Sequence, residues 1–215
     1  MKTLIVTGGN IEKEFLLKTI KEIKFETIIA VDNGLKILNQ INVNPQHIVG
    51  DFDTVKSEIL DRYKENTSIK IHKFNPIKDN TDTDIAIRLA IGLKSDEITI
   101  IGAIGTRIDH LLANIHVLKY ALDSNVECKI IDENNEIQLI DKTTIIKNKD
   151  IAKKYISLIP LTEKVEHINL KGFKYELNNG TLTMGSSLGI SNEISKEEAI
   201  IEFDNGILIM INSKD

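Results

Sequence analysis

The run Ile48-Val49-Gly50-Asp51-Phe52-Asp53-Thr54 stops an apolar stretch on a glycine and delivers two carboxylates two residues apart. Side chains alternate along extended backbone, so Asp51 and Asp53 are expected to point the same way while Phe52 turns back into the protein. Two like charges aimed at one spot repel unless a cation lies between them. Mg²⁺ prefers hard oxygen ligands and often takes one or two carboxylates together with substrate phosphates. A solvated turn would use the same residue types, so the weight falls on recurrence. Asp32, then Asp51 and Asp53, then Asp79 and Asp82 each follow an apolar run, from three separate expected strands. A carboxylate set of this kind suits phosphoryl or diphosphoryl transfer, where a metal offsets phosphate charge and catalysis is mostly positioning plus electrostatics.

A nucleotide also needs donors for its phosphates. The chain has no G-x-x-x-x-G-K-[ST] and no G-x-G-x-x-G, which disfavours a P-loop enzyme and a dinucleotide fingerprint. The candidate donors are Arg107, Lys78 and the backbone N–H groups of the Gly102–Thr106 loop with the helix start that follows. His110 stands in the same loop, either bonded locally at the helix start or facing a substrate.

These residues have to be positioned by alternating strands and helices. Leu4 to Val6, Thr27 to Val31, the run into Asp51, Ile69 to His72, Glu97 to Ile101 and Val126 to Ile131 read as buried strands. Between them lie apolar residues at helical spacing: Phe15, Leu16, Ile20 and Ile23; Leu35, Leu38 and Ile41; Ile59, Leu60 and Tyr63; Ala86, Leu89, Ala90 and Leu93; Leu111, Ile115, Leu118 and Leu122. The pattern predicts an α/β unit, a mostly parallel, Rossmann-like three-layer sheet with helices on both faces. Ligands bind such sheets outside the carboxyl ends of the strands, which is the acidic edge here.

From about Glu133 onward no helical face appears. Short apolar or alternating runs recur instead: Ile137–Ile140, Tyr155–Ile159, Val165–Leu170, Thr181–Met184, Ala199–Phe203 and Gly206–Ile211. Asn178-Asn179-Gly180 and Asp204-Asn205-Gly206 read as hairpin turns. We therefore expect an α/β domain over 1–132 and a small antiparallel β-sandwich over 133–215.

Composition narrows the class. The chain has 215 residues, 41% hydrophobic and 27% charged, as in ordinary soluble globular proteins. A net charge of −5 offers no basic footprint for nucleic acid. No run of about 18 apolar residues suggests a membrane span, and the start of the chain does not read as a signal peptide. Cys128, the single cysteine, cannot close an intrachain disulfide. It reads as a small core residue in a reducing, cytoplasmic setting.

Five blocks in order resemble the thiamine pyrophosphokinase (thiamine diphosphokinase) family. They are Val31-Asp32-Asn33-Gly34, Gly50-Asp51-Phe52-Asp53-Thr54, Lys78-Asp79-Asn80-Thr81-Asp82-Thr83-Asp84, Gly105-Thr106-Arg107-Ile108-Asp109-His110 with Ala113-Asn114-Ile115, and Gly185-Ser186-Ser187-Leu188-Gly189-Ile190-Ser191-Asn192. The resemblance implies an α/β catalytic domain and a β-sandwich domain working as a homodimer, with the active site at the subunit interface. It implies Mg²⁺-dependent transfer of the terminal diphosphate of ATP to the hydroxyl of thiamine, giving thiamine diphosphate and AMP.

Carried over by position, Asp32, Asp51, Asp53 and Asp82, with Asp79 close by, match the family's metal-associated aspartates; Asp51, Asp53, Asp82 and Arg107 are the catalytic candidates. Asp32, Asn33, Gly34, Lys78, Thr81, Arg107, Asp109, His110 and Asn114 are the nucleotide-binding candidates. Asp109, Tyr175, Ser187, Ser191 and Asn192 are the thiamine-binding candidates. Tyr175 serves equally well as an ordinary strand tyrosine. Two departures stand out. Thr106 occupies a usual glycine, and a β-branched residue resists positive φ. Asn33 replaces another, which asparagine's tolerance of left-handed backbone makes mild. With no tryptophan in the chain, thiamine cannot stack on an indole of this sequence. Two rivals remain open at this point: a phosphatase with Asp51 as aspartyl nucleophile, and a thiamine or nucleotide sensor without chemistry.

Overall fold

The computed structural model describes residues 1–51, 63, 68–73, 80–147 and 153–215. They form two compact units, Met1–Glu133 and Asn134–Asp215.

The first unit holds strands β1 (Lys2–Val6), β2 (Thr27–Val31), β3 (His47–Gly50), β4 (Lys70–Lys73), β5 (Glu97–Ile101) and β6 (Glu127–Ile131). Its helices are α1 (Lys13–Glu22), α2 (Gly34–Gln40), α3 (Asp82–Gly92) and α4 (Ile108–Asp123). The strands lie in the order β4-β3-β2-β1-β5-β6, every neighbouring pair parallel. Strand alternation sorts the core into two layers. Leu4, Val6, Ala30 and Ile48 pack with Leu16 of α1 and with Leu35 and Leu38 of α2. Ile5, Ile29, Ile100 and Ile130 alternate to the other face and are fully buried. There α3 packs over β1, β2 and β3 and against α4, with Ala86, Ile87 and Ala90 buried. This is the expected α/β architecture. Of the helix expected over Ile59–Tyr63, only Tyr63 falls within the described residues; it is helical and buried.

Strands β3 and β4 carry an unusual pair. Val49 registers with His72 and His47 with Lys70, so the two imidazoles meet diagonally. Their rings stack with centroids 5.3 Å apart, and His47 Nδ1 lies 3.0 Å from His72 Nε2.

The second unit is all strand: β7 (Asn135–Ile140), β8 (Thr144–Lys147), β9 (Tyr155–Pro160), β10 (Lys164–Lys171), β11 (Leu177–Thr183), β12 (Glu198–Glu202) and β13 (Leu208–Ser213). In one sheet β13 pairs antiparallel with β7 and β9. The other runs β11-β10-β12-β8, also antiparallel. Ile140, Leu158, Leu208 and Met210 of the first share a core with Val165, Leu170, Leu182 and Ile201 of the second, which makes a sandwich.

Three details differ from the sequence reading. Strand β8 was not expected, because Thr144-Ile145-Ile146-Lys147 has only two apolar residues; it sits at the end of its sheet with Ile145 exposed. Asn178-Asn179-Gly180 is not a hairpin turn but lies inside β11. Asn179 (φ 52°) faces His167 (φ 56°) across an irregular register, and their side chains hydrogen-bond at 2.7 Å. The left-handed asparagine here makes a bulge rather than a reversal. Asp204-Asn205-Gly206 does turn the chain, with Gly206 at φ 104°, but it joins strands of different sheets.

Candidate active site

Strand order reverses around β1: β2, β3 and β4 lie to one side and β5 and β6 to the other. A crevice opens at such a switch point. The loops leaving β1 and β5 are laced together there, Thr7 N–H donating to Ile101 O at 2.8 Å and Gly9 N–H to Gly102 O at 2.9 Å. A Cβ on Gly9 would lie 2.1 Å from that Gly102 oxygen, so the contact depends on glycine.

Above this floor is a cleft of about 630 Å³. Asp32, Asp51 and Asp82 line it, together with Asn33, Thr81, Arg107, Asp109, His110 and Asn114. Nine of the sequence candidates thus meet in one place. Gly34, a tenth, sits beneath it where α2 begins; a Cβ there would fall 2.0 Å from Val6 O. Asp53, Lys78 and Asp79 lie outside the described residues.

The corner after β2 explains how Asp32 reaches the cleft. Its N–H continues the sheet ladder to Val49 O (3.0 Å), and its own carbonyl accepts from Leu35 N–H (3.1 Å) to open α2. Doing both places Asp32 in left-handed backbone at φ 44°. Asn33, at the position where the family commonly has glycine, is right-handed at φ −63° and does not use asparagine's tolerance of left-handed backbone. Non-glycine residues held at positive φ cluster at functional sites.

Thr81 caps α3, its Oγ1 accepting from Asp84 N–H at 3.2 Å. That puts Asp82 in the first helical turn, at the helix end that favours negative charge. Thr81 therefore spends its oxygen on the cap and keeps its hydroxyl proton. Asp84, two residues on in the same first turn, is buried and holds Arg88 Nε at 2.7 Å.

Arg107 precedes α4 and grips Asp109 through two contacts, Nε to Oδ1 at 3.2 Å and Nη2 to Oδ2 at 2.5 Å. This bond holds the Asp109 carboxyl below its ordinary range and raises the guanidinium. Both groups are exposed, so the pair costs little to reorganise when a charged ligand arrives. Asn114, in the second turn of the helix, is buried; its Nδ2 donates to Ala103 O at 3.0 Å and ties α4 to the Gly102–Thr106 loop. Thr106 causes no distortion, since the left-handed residue of that loop is Gly102 (φ 85°).

Thr7, Gly8, Gly9 and Asn80 also line the cleft and were not singled out from sequence. The Gly8-Gly9 pair directly after the first strand was the available signal. A shallower pocket lined by Lys36 and Gln40 shares Thr7, Gly8, Gly9 and Asn33 with the cleft.

In the β unit, Asn192 is buried and its amide is used within the chain: Oδ1 accepts from Tyr175 N–H (3.0 Å) and Glu193 N–H (2.9 Å), and Nδ2 donates to Tyr175 O (2.8 Å). It fixes the backbone of Tyr175, whose ring is exposed. Ser191, left-handed at φ 57°, donates its N–H to Ser157 Oγ at 2.9 Å. Ser187 is exposed on the same loop.

The fold defines an α/β unit with an acidic cleft at its switch point and a β-sandwich unit, and comparison with known proteins says to which family the pair belongs. Residues 21–130 match the family model "Thiamin pyrophosphokinase, catalytic domain" and residues 142–208 match "Thiamin pyrophosphokinase, vitamin B1 binding domain". Thiamine pyrophosphokinase of Bacillus subtilis (strain 168) is 38% identical over 187 residues, 87% of each chain. The crystal structure of the Bacillus subtilis thiamine pyrophosphokinase superposes with a TM-score of 0.88 at 34% identity, covering all of both chains. That of the Geobacillus thermodenitrificans enzyme gives 0.87 at 31%, covering 100% of this chain and 98% of the other. The chain belongs to the thiamine pyrophosphokinase family. Neither the phosphatase nor the sensor reading gains support from these matches.

Proposed function

We propose that the cleft of the first unit is where this thiamine diphosphokinase transfers the diphosphate of ATP to thiamine. The observation that carries the reading is the convergence of Asp32, Asp51, Asp82 and Arg107 on one cleft, from the ends of β2 and β3 and the starts of α3 and α4. The donor set fits Mg²⁺. It is all carboxylate oxygen, and the bare α-carbon of Gly50 leaves room for the Asp32 carboxylate. No three His, Cys, Asp or Glu side chains among the described residues close on a single point. An open set suits an ion that keeps waters and shares substrate phosphates. Asp32, Asp51 and Asp82 would hold the ion, with Asp53 and Asp79 in the same two blocks. When bound, the ion neutralises phosphate charge.

In the reaction the thiamine hydroxyl oxygen bonds to the β-phosphorus. The bond from that phosphorus to the bridging oxygen breaks, its electron pair leaves on AMP, and the hydroxyl proton passes to solvent. Arg107, released from Asp109, and the N–H groups of the Gly102–Thr106 loop offset charge on the transferring group. Asn33, Gly34, Thr81, His110 and Asn114 shape the nucleotide side of the cleft, with Lys78 a further cation for the phosphates.

The β unit supplies thiamine contacts through Tyr175, Ser187, Ser191 and Asn192; in the first unit Asp109, on the cleft wall, is the residue assigned to thiamine. Tyr175, Met184, Leu188 and Ile190 are exposed on one stretch of that unit. A homodimer would cover them and set the active site at the subunit interface. The net charge of −5 argues against nucleic acid as a partner, and no described helix is long and apolar enough to cross a membrane. The single buried Cys128 fits the cytoplasm.

The test is product analysis of ATP plus thiamine. AMP and thiamine diphosphate are expected; ADP and thiamine monophosphate would refute the scheme. Sedimentation of the wild type and of Leu188→Asp tests the dimer.

A further inference from the structure

Asp84 is absorbed by none of the roles above, yet it is a carboxylate with only 6% of its surface exposed. A first-turn acid that merely eased the helix dipole, or made a surface i,i+4 pair with Arg88, would have no need of burial. Its surroundings form a line. Tyr120 of α4 lies under the Arg88 guanidinium, 4.0 Å from ring centroid to the guanidinium carbon. Arg88 Nε donates to Asp84 Oδ1 at 2.7 Å. Asp84 Oδ2 accepts from the side-chain amide of Asn80, and Asn80 stands on the cleft wall.

The chemistry of that last contact fixes an orientation. A carboxylate only accepts, so Asn80 must present its NH₂ to Asp84. A surface asparagine ordinarily flips at little cost. Here a flip would set carbonyl oxygen against carboxylate oxygen and lose a charge-assisted bond. The amide oxygen Oδ1 is thereby turned away from Asp84, on a residue exposed to the cleft.

We propose that Asp84 is a positioning residue for the transfer reaction: buttressed by Arg88 and Tyr120, it locks the Asn80 amide so that Oδ1 accepts a hydrogen bond from a hydroxyl or amino group of a bound substrate. This rests on the reading of the cleft given above. Asn80 is the contact and Asp84 acts only through it. The two substrates both offer such donors, and kinetics assign the one used.

The experiment is a double-mutant cycle on the full chain with Asn80→Ala, Asp84→Asn and both together, measuring kcat, KM for ATP, KM for thiamine and the melting midpoint. Asn80→Ala removes an exposed side chain, so its midpoint should stay within a degree or two. One of the two KM values should rise about fivefold to tenfold, a neutral hydrogen bond's worth; which one rises identifies the substrate. Asp84→Asn keeps the shape but lets the Asn80 amide face either way, and the same KM should rise. The double variant should be no worse than the poorer single. Effects that multiply, an Asn80→Ala variant with both KM values and kcat within twofold of wild type, or an Asp84→Asn variant changed only in melting, would each overturn the proposal. If Asp84→Asn does not fold, Asn80→Asp tests the same contact by setting two carboxylates face to face, and the KM identified with Asn80→Ala must rise at least as far; a near-native value overturns it. Absence of AMP formation by the wild type would instead sink the reading of the cleft, and this inference with it.

Discussion

The carboxylate of Asp32 lies against the α-carbon of Gly50. A methyl group there would sit 1.9 Å from Asp32 Oδ1, inside any allowed contact. The glycine before Asp51 is therefore the space that a carboxylate from the neighbouring strand occupies.

Gly50→Ala must then displace Asp32 or the end of β3. Overpacking of this kind costs about 1–3 kcal/mol. Turnover should fall by more than that loss of stability explains, because Asp32 and Asp51 move together. Steady-state AMP formation at a temperature well below the melting midpoint measures it.

Asp51→Asn tests the metal directly. The variant should fold normally, lose about 10²-fold in turnover, the order found when one preorganised electrostatic group is removed, and need more Mg²⁺ for half-maximal rate. Titration of rate against Mg²⁺ reads both effects, and near-native turnover at ordinary Mg²⁺ would contradict the assignment.

Asn114→Ala leaves the buried Ala103 carbonyl without its partner, a loss of about 1–3 kcal/mol. It also unties the Gly102–Thr106 loop from α4. The melting midpoint should drop and KM for ATP should rise. Asn114→Asp should be worse, since it sets a carboxylate oxygen against the same carbonyl.

The His47–His72 pair gives a pH dependence. Burial, before any neighbouring charge, pushes both imidazoles below their ordinary value, with Lys70 adding to the effect and His72 also lowering His47. The unfolded chain therefore binds protons more readily than the folded one. Stability is whole above the unfolded value of about 6.5 and is lost as pH falls through it toward the folded values. The melting midpoint should decline from pH 7 to pH 5, and His72→Gln should flatten that decline.

Much of this molecule was legible in its sequence because the signals were local. Continuous apolar strands ending in Asp or Gly set the parallel sheet and placed Asp32, Asp51 and Asp82 at one edge. What escaped depended on contacts between distant segments. The left-handed residue of the β2 corner proved to be Asp32, because its N–H is bound to Val49 of the next strand while its carbonyl starts α2. Asn178-Asn179-Gly180 has a hairpin's composition, but His167 opposite turned it into a bulge. The Gly8-Gly9 doublet gained its meaning only from Gly102, more than ninety residues away. Asp84 looked like one more acid in an acidic run, and only its burial set it apart.

The place of β1 between β2 and β5 bears on how the chain reaches its working form. β1 bonds to β2 through residues 27–30 but to β5 only through residues 97–101. A ribosome that has released only the first seventy residues holds out a bare strand edge, apolar over Leu4–Val6, with nothing to pair with. Exposed edges of this kind recruit other chains, so synthesis up to residue 101 is the interval in which the nascent protein most needs a chaperone.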